Sequence, residues 1–163
     1  MPVDPITIRL ASADDLGVLH SREAHPDAHL ALRHFERQEA GDYFFALAEQ
    51  AGDPLGFCVL DTHPDNDLCP EIKSLWVYPE SRRLGAGRAL TSYLEDLARE
   101  RGFVEVFLRV DPENAAAIPM YIGLEYTPTG DHRMTSYEAV DAGGAVEIVE
   151  RLDAVYRKSL LAR

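Results

Sequence analysis

Apolar residues recur along the chain with two different periods. A period of two residues predicts strands, and a period of three to four residues predicts helices. Residues 6–10 read Ile-Thr-Ile-Arg-Leu, the two-residue period of a half-buried strand. From Ala86 to Arg101 the apolar residues recur every three or four positions, which predicts an amphipathic helix that Gly102 closes. By the same criteria the predicted strands are 6–10, 43–49, 55–61, 71–78, 104–110, a segment near Tyr126 and 154–160. One predicted helix follows Ser12, and the others cover 27–40, 86–101 and 114–122.

The order of these elements predicts one α+β domain over residues 1–163. The strands within 43–78, the first two of them separated by a turn at Gly52-Asp53-Pro54, indicate an antiparallel meander. The next strand, helix and strand form a βαβ unit whose two strands should run parallel. Residues 131–152, which include a Gly143-Gly144 turn, show no clear period and remain unassigned. No repeat or linker divides the chain.

Composition excludes several classes of protein. The formal net charge of −12 argues against nucleic-acid binding, which needs a basic surface. No apolar run approaches the roughly 18 residues of a membrane span, and the first five residues lack the basic start and apolar stretch of a secretion signal. With two cysteines, Cys58 and Cys69, we expect reduced thiols. These features predict a cytoplasmic protein that binds neither nucleic acid nor a membrane, and the bias toward Arg and Ala is typical of a GC-rich, bacterial genome.

The charge is unevenly distributed. Residues 1–72 carry 14 acidic side chains against 4 Arg or Lys, whereas the seven residues from Arg82 to Arg88 hold three arginines and no acid. These arginines belong to the segment Pro79 to Arg88, which has two glycines directly before the strong helix. Glycines let backbone N–H groups converge, and a helix start adds unpaired N–H donors. The segment therefore predicts a phosphate or pyrophosphate site, and the alternative is a solvated turn.

Two nucleotide motifs can be compared with this segment. A P-loop needs Gly-Lys-Ser/Thr, which the chain lacks. The dinucleotide fingerprint needs a third glycine, and Leu90 occupies that position. The sequence therefore supports neither a P-loop nor a dinucleotide-binding motif in this segment.

The same residues resemble the acetyl-CoA-binding motif of the GNAT family of N-acetyltransferases. Arg82-x-x-Gly85-x-Gly87 matches the core of that motif in full, and Asn114-x-x-Ala117-Ile118-x-x-Tyr121 is similar to a second family signature. The match covers about residues 71–130. It implies a mixed, mostly antiparallel, twisted sheet of six to seven strands flanked by about four helices, with a parallel, splayed central pair of strands.

The resemblance also implies roles for individual residues. The strand at Trp76 and Val77 would pair with the pantetheine arm of acetyl-CoA, and a backbone N–H near Val77 would polarise the acetyl carbonyl. The cofactor-binding residues implied in this way are Trp76, Val77, Arg82, Arg83, Gly85, Ala86, Gly87, Arg88, Asn114 and Tyr121.

Two residues match the catalytic positions of the family. Tyr121 would protonate the departing thiolate, a step for which a phenol has a usable pKa; the alternative is a core tyrosine. Glu71 matches the strand glutamate that serves several members as general base, directly or through water; the alternative is a solvent-facing charge. Four features depart from the family pattern: Glu125 stands where glycine is usual, Tyr126 stands where phenylalanine is common, Pro119 lies inside the short helix, and 131–152 is longer than the usual final connection.

Four histidines, at positions 20, 25, 29 and 34, lie within fifteen residues. His25 and His29 have i,i+4 spacing, but no Cys or HExxH context supports a metal site, and none is predicted. A histidine of this segment is instead a candidate for lining an acceptor site.

Together these features predict an acetyl-CoA-dependent N-acetyltransferase. It would transfer the acetyl group to a primary amine of a small molecule or peptide by direct attack on the thioester. The acidity of residues 1–72 favours a cationic amine. The alternatives are a non-catalytic acyl-CoA-binding regulatory or interaction module, which the family departures keep open, and a Rossmann-type domain, which would need a purely parallel sheet. Because family members are often dimers, a homodimer is possible.

Overall fold

A computed structural model describes residues 4–23, 26–140 and 142–161 of the chain. The strands are β1 (Ile6–Leu10), β2 (Tyr43–Gln50), β3 (Asp53–Asp61), β4 (Glu71–Val77), β5 (Glu105–Val110), β6 (Thr127–Val140) and β7 (Val146–Ser159). The α-helices are α1 (Leu16–Ser21), α2 (Leu30–Ala40), α3 (Ala86–Glu100) and α4 (Ala117–Gly123), and single 3₁₀ turns cover Ala13–Asp15, Pro26–Ala28 and Pro79–Ser81.

The seven strands form one mixed sheet in the order β1-β2-β3-β4-β5-β7-β6. The pairs β1–β2, β2–β3, β3–β4 and β6–β7 are antiparallel, whereas β4 and β5 run parallel. The predicted fold class, a mostly antiparallel sheet with a central parallel pair and about four helices, is confirmed. None of the helices in the described part of the chain combines the length and apolar character that crossing a bilayer requires.

The chain divides into two compact units. The first comprises Met1–Val106 with Leu160–Arg163, and the second comprises Phe107–Ser159. The expectation of one domain over 1–163 concerns folding as a unit, and it stays a prediction.

In the first unit, helices cover both faces of the sheet. Tyr43, Phe45 and Leu47 of β2 point to the side of α1 and α2, where they join a core that includes Leu19 and Ala31. The alternate residues of β2 face α3, and the Arg101 guanidinium at the end of α3 lies 4.4 Å from the centre of the Phe44 ring. Burial on both faces explains why β2 reads as an unbroken apolar run rather than an alternation.

The helix α3 matches its predicted span closely because its apolar stripe is complete. Leu90, Leu94 and Ala98 of that stripe are fully buried. Each fully buried leucine contributes about 1.5–3 kcal/mol relative to an exposed one. The predicted helix over 27–40 is instead interrupted: His29 has a φ of +49°, and α2 starts only at Leu30, after the separate 3₁₀ turn at Pro26–Ala28.

The second unit contains a long β-hairpin that the sequence did not predict. β6 and β7 pair from Thr127↔Arg157 to Val140↔Val146, with a bulge between Pro128 and His132. The predicted strand over 154–160 was therefore too short, and the unassigned residues 131–152 belong mainly to these two strands. Most described side chains of the outer part of the hairpin are exposed or half-buried. Without a buried face, the two-residue apolar period that marks a strand is weak.

Candidate functional site

The loop between β4 and α3 covers residues 78–85. Backbone hydrogen bonds hold its start, and two residues with positive φ angles form its end. The Tyr78 N–H donates to the Leu55 carbonyl (2.9 Å), and the Ser81 N–H donates to the Tyr78 carbonyl (2.8 Å). At the other end Arg83 and Gly85 have positive φ angles of +69° and +94°, and Gly85 is the N-cap of α3. Left-handed residues in such turns are typical of backbone concavities lined by N–H groups, which suit an anion.

The first turn of α3 supplies the N–H donors of this surface. The first helical hydrogen bond runs from the Ala89 N–H to the Gly85 carbonyl (3.0 Å). The N–H groups of Ala86, Gly87 and Arg88 therefore precede the helical hydrogen-bond ladder and have no carbonyl within the helix to bind. The positive end of the dipole of this 15-residue helix lies at the same place. Donors and dipole together favour a phosphate or pyrophosphate group.

The three arginines of the segment, Arg82, Arg83 and Arg88, have exposed side chains. Arg82 is held in place: its Nε donates to the Val77 carbonyl (3.1 Å), and its guanidinium carbon lies 5.1 Å from the centre of the Trp76 ring. Trp76 itself is 43% exposed. The end of β4 thus presents an exposed aromatic ring beside a cation, directly before the loop that leads into α3.

Arg22, at the end of α1, braces the same loop and was not singled out from the sequence. Its guanidinium donates to the Pro54 carbonyl (2.7 Å), pairs with Glu80 and lies 3.9 Å from the centre of the Tyr78 ring. Arg22 and Glu80 are 58 positions apart in the chain. No local pattern could have connected them, because the contact depends on how α1 packs.

A bulge in β4 was also invisible in the sequence. Across the β3–β4 pair, Phe57 lies opposite Trp76 and Val59 lies opposite Lys73, so two residues of β4 share the position opposite Cys58. One of them, Ser74, has a φ of +59°. A β-bulge turns the backbone groups of its strand and is common beside functional sites. Here it separates the Glu71 end of β4 from the Trp76–Val77 end.

Glu71, the proposed base, is buried at the start of β4. Only 2% of the residue is exposed. Its Oε1 accepts a hydrogen bond from the Asn66 Nδ2 (3.0 Å), and the same Nδ2 donates to Asp61 Oδ2 (3.2 Å). The alternative interpretation of Glu71, a solvent-facing charge on a strand, is therefore wrong. Its role as a base stays a prediction.

Asp61 is a second buried carboxylate beside Glu71, and two cations stabilise its charge. Lys73 Nζ lies 2.8 Å from Asp61 Oδ2, and an Arg37 nitrogen lies 3.8 Å from the same oxygen. Burial opposes ionisation of Asp61, but the hydrogen bonds from Lys73 and from the His63 N–H outweigh it and hold the pKa of the carboxyl below its usual value.

His34 and Tyr43 form a buried pair beside Arg37 and Lys73, and both side chains are uncharged at neutral pH. The His34 Nδ1 lies 2.6 Å from the Tyr43 hydroxyl oxygen, while His34 Nε2 has no hydrogen-bond partner among the described residues. Burial, with repulsion from Arg37 and Lys73, lowers the pKa of His34 to about 4. Burial raises the pKa of the Tyr43 hydroxyl. The hydrogen bond between Nδ1 and the Tyr43 hydroxyl runs in the direction set by the tautomer of the neutral ring, because either group can donate.

Tyr121, the proposed acid, lies on α4 in the second unit. It is 8% exposed, and its ring packs edge-to-face against Tyr126 at a centroid distance of 5.8 Å. The Tyr121 carbonyl accepts the N–H groups of Leu124 (3.1 Å) and Tyr126 (3.0 Å), which closes the helix behind it. The ring is therefore held by packing, and its role as an acid stays a prediction.

The departures from the family pattern fit the local backbone. Pro119 is the third residue of α4, where a helix has no carbonyl for the N–H that proline lacks. Glu125 keeps the left-handed conformation, with a φ of +76°, in which glycine is unstrained. Asn114 is exposed, and its Oδ1 accepts the Ala117 N–H (3.2 Å) at the start of α4. Its predicted contact with the cofactor stays untested beside this structural role.

The structure assigns no functional role to the remaining candidates, the histidines of residues 20–29 and the two cysteines. Within the described ranges no group of three or more His, Cys, Asp or Glu side chains is placed to hold a metal ion, and His25 lies outside them. The rings of His20 and His29 stack at a centroid distance of 5.3 Å. Cys58 is fully buried, and burial raises the pKa of its thiol to about 12, whereas Cys69 is half-buried; both are free thiols.

Solved structures with the same fold include acetyltransferases. The ribosomal-protein-S18-alanine N-acetyltransferase from Escherichia coli has a TM-score of 0.69 at 21% identity, covering 98% of this chain and 96% of that chain. YncA from Salmonella typhimurium, solved with its cofactor acetyl-CoA, has a TM-score of 0.68 at 22% identity, covering 98% of this chain and 96% of its own. At these identities the likeness shows the fold.

Curated relatives at higher identity match part of their own length. A mycothiol acetyltransferase from Kocuria rhizophila is 35% identical over 114 residues, which are 63% of this chain and 37% of the relative. The one from Stackebrandtia nassauensis is 34% identical over 140 residues, 77% of this chain and 46% of the relative. This chain thus spans less than half of these relatives. The acetyltransferase (GNAT) family model matches residues 10–124, which include β2–β4, the loop, α3 and α4, and the chain belongs to the GNAT acetyltransferase family.

Proposed function

We propose that this protein transfers the acetyl group of acetyl-CoA to a primary amine. The observation that carries the proposal is the segment 82–88, which combines three exposed arginines with three N–H groups at the start of a long helix. Because acetyl-CoA is the cosubstrate of this family, family membership supports the pyrophosphate of acetyl-CoA as this anion.

The residues present fit acetyl-CoA along β4. The N–H groups of Ala86, Gly87 and Arg88 would hold the pyrophosphate, with those of Arg83 and Gly85 beside them. The side chains of Arg82 and Arg88 would neutralise its charge. The backbone of Trp76 and Val77 would pair with the pantetheine arm as an added strand. Asn114 would contact the cofactor from the start of α4.

The transfer itself needs two proton movements. The amine reacts in its neutral form: its nitrogen attacks the thioester carbonyl carbon and then loses a proton, which Glu71 accepts. Because Glu71 is buried, the proton would travel through a water molecule. The C–S bond then breaks, and the thiolate takes a proton from the Tyr121 hydroxyl. A backbone N–H near Val77 would stabilise the charge that develops on the carbonyl oxygen.

The acceptor class follows from charge and from the relatives. The excess of acidic residues over 1–72 favours a cationic amine. Relatives and neighbours are named for mycothiol, for ribosomal-protein alanine and for spermidine or spermine, each of which suggests an amine to test. We further propose a cytoplasmic, bacterial enzyme that binds neither nucleic acid nor a membrane, and that forms a homodimer.

A thiol-release assay tests this function. Acetyl-CoA is incubated with the protein and a panel of amines: spermidine, a peptide with an N-terminal alanine and a mycothiol precursor with a free amine. Release of CoA that depends on one amine, with the acetylated amine found by mass spectrometry, supports the proposal. Binding of acetyl-CoA without amine-dependent release across a broad panel would instead support a non-catalytic acyl-CoA-binding module.

A further inference from the structure

Asn66 lies in the loop before β4 and joins two buried carboxylates. Its Nδ2 is 3.0 Å from Glu71 Oε1 and 3.2 Å from Asp61 Oδ2. Glu71 and Asp61 are directly opposite each other across the β4–β3 pair, and each residue is 2% exposed. One amide group therefore donates both of its N–H bonds to two carboxylates that would otherwise repel each other.

The orientation of this amide is fixed from its other end. Asn66 Oδ1 accepts the Leu68 N–H at 2.9 Å, so the oxygen cannot exchange places with the nitrogen without losing that bond. The backbone of Asn66 is also held: its N–H donates to the His63 carbonyl (3.0 Å), and its carbonyl accepts the Cys69 N–H (3.0 Å). The loop thus presents the Asn66 N–H groups to the carboxylates in a single arrangement.

Two cations contact the Asp61 carboxylate. Lys73 of β4 and Arg37 of α2 both contact Asp61, at 2.8 and 3.8 Å. The same two cations lie over the ring of Tyr43, at 5.7 and 4.3 Å from its centre. Both cations thus contact Asp61, and Asn66 is a neutral donor that the two carboxylates share.

We propose that Asn66 is a positioning residue for the transfer reaction, which fixes the Glu71 carboxylate as an ionised acceptor of the substrate proton. This inference rests on the proposed function, in which Glu71 is the general base. An N–H donor favours the ionised form of a carboxylate, and a base must be ionised to accept a proton. Without the donor, Glu71 would lose a hydrogen bond that favours its ionised form and orients its Oε1.

Asn66→Asp is the most informative variant. Asp keeps an oxygen for the Leu68 N–H, so the loop is retained, but it removes both N–H donors and adds a negative charge beside Glu71. Asn66→Ser removes the amide without adding charge and serves if Asn66→Asp does not fold. The matched control is the double variant Asp65→Asn/Asn66→Asp, which keeps the net charge of the loop. Asp65, whose side chain is 92% exposed, is also changed alone to Asn.

The first readout needs no acceptor amine. The side-chain carboxyl carbons of the ¹³C-labelled protein are followed by NMR against pH, and Glu71→Gln identifies the Glu71 signal. Asn66→Asp and the double variant should move the titration midpoint of that signal upward by about one pH unit. Asn66→Ser should move it in the same direction by less, and Asp65→Asn alone should not raise it. An unchanged midpoint in Asn66→Asp, or in Asn66→Ser, would overturn the proposal.

The second readout uses an acceptor found by the thiol-release assay. The rising limb of kcat/KM against pH should move upward by the same amount in Asn66→Asp, with the affinity for acetyl-CoA unchanged. In Glu71→Gln that limb should be lost. A pH profile that Glu71→Gln leaves unaltered would remove Glu71 as the base, and with it the role of Asn66. The absence of any acceptor would contradict the proposed function and leave the NMR result on Asn66 standing.

Discussion

Gly56 of β3 lies directly opposite Val77 of β4, and no side chain fits between them. A Cβ atom built on Gly56 would come within 2.8 Å of the Val77 Cα and would overlap the Trp76 carbonyl oxygen. The two backbones therefore approach more closely here than a residue with a side chain would allow. This approach occurs at the end of β4 to which we assign pantetheine pairing.

Gly56→Ala should accordingly push the end of β4 away from β3. We expect a loss of about 1–3 kcal/mol in the free energy of unfolding, as for other overpacked sites. We also expect a fall of about tenfold or more in the affinity for acetyl-CoA, because Trp76 and Val77 move. Urea unfolding and calorimetric titration measure the two effects. Gly17→Ala is the control, since a Cβ there meets no atom within 4 Å. Normal affinity in folded Gly56→Ala would contradict the assignment of this strand end.

The buried His34 should make stability depend on pH. Its pKa is lowered to about 4 in the folded protein by burial, with Arg37 and Lys73 adding repulsion, whereas an unfolded histidine has its ordinary value of about 6.5. Between these values the unfolded chain binds the extra proton, so stability contributed by neutral His34 is present above pH 6.5 and is lost as the pH falls toward 4. At pH 5 the loss should be about 2 kcal/mol.

His34→Asn tests this dependence. The Asn amide can still form a hydrogen bond with the Tyr43 hydroxyl in place of Nδ1, as donor or acceptor, but it does not titrate. Urea unfolding at pH 7 and pH 5 gives the change in the free energy of unfolding for both proteins. The variant should be less stable at pH 7 and should lose about 2 kcal/mol less than the parent on acidification. An equal loss in both proteins would show that His34 is not the group responsible.

Glu125 stores strain that the usual family residue would not. Its φ of +76° costs a residue with a side chain more than it costs glycine. Glu125→Gly should therefore raise the free energy of unfolding by about 0.5–1 kcal/mol. Glu125→Ala is the control and should give no such gain. A loss of stability in Glu125→Gly would mean that contacts of the Glu125 side chain outweigh its backbone strain.

Tyr121→Phe separates an acid from a core residue. The substitution keeps the ring, and so the edge-to-face contact with Tyr126, while it removes the hydroxyl. If the hydroxyl protonates the thiolate, kcat should fall by about 10²–10⁴-fold with little change in the affinity for acetyl-CoA. Melting temperature, affinity and kcat are measured on the same preparation. A lower melting temperature with activity that falls only in proportion would identify a structural tyrosine.

The sequence predicted the parts of the fold whose signals are local. The α3 stripe, the glycines before it and the apolar run of β2 are continuous in the chain, and the structure confirms the elements they predict. The β6–β7 hairpin was missed because few of its described side chains are buried. Its sequence therefore lacks the two-residue alternation of apolar and polar residues that marks a half-buried strand.

The supporting contacts of the candidate site were missed for a different reason. Arg22 reaches Glu80 across 58 positions, and the close approach of Gly56 to Val77 depends on a pairing register. Asn66 looked like an ordinary loop residue, since only the folded loop brings its amide to Glu71 and Asp61. Such contacts are made by tertiary packing, and no local pattern encodes them.

The central claim, that the start of α3 binds the pyrophosphate of acetyl-CoA, is tested most directly by calorimetric titration of acetyl-CoA into the parent protein and into Gly87→Glu. A glutamate at the second residue of α3 would place bulk and negative charge among the N–H donors. The same substitution at Gly17, where space is open, is the control. We predict that the parent and Gly17→Glu bind acetyl-CoA alike and that folded Gly87→Glu does not bind it. Binding by Gly87→Glu as tight as that of the parent would contradict the account.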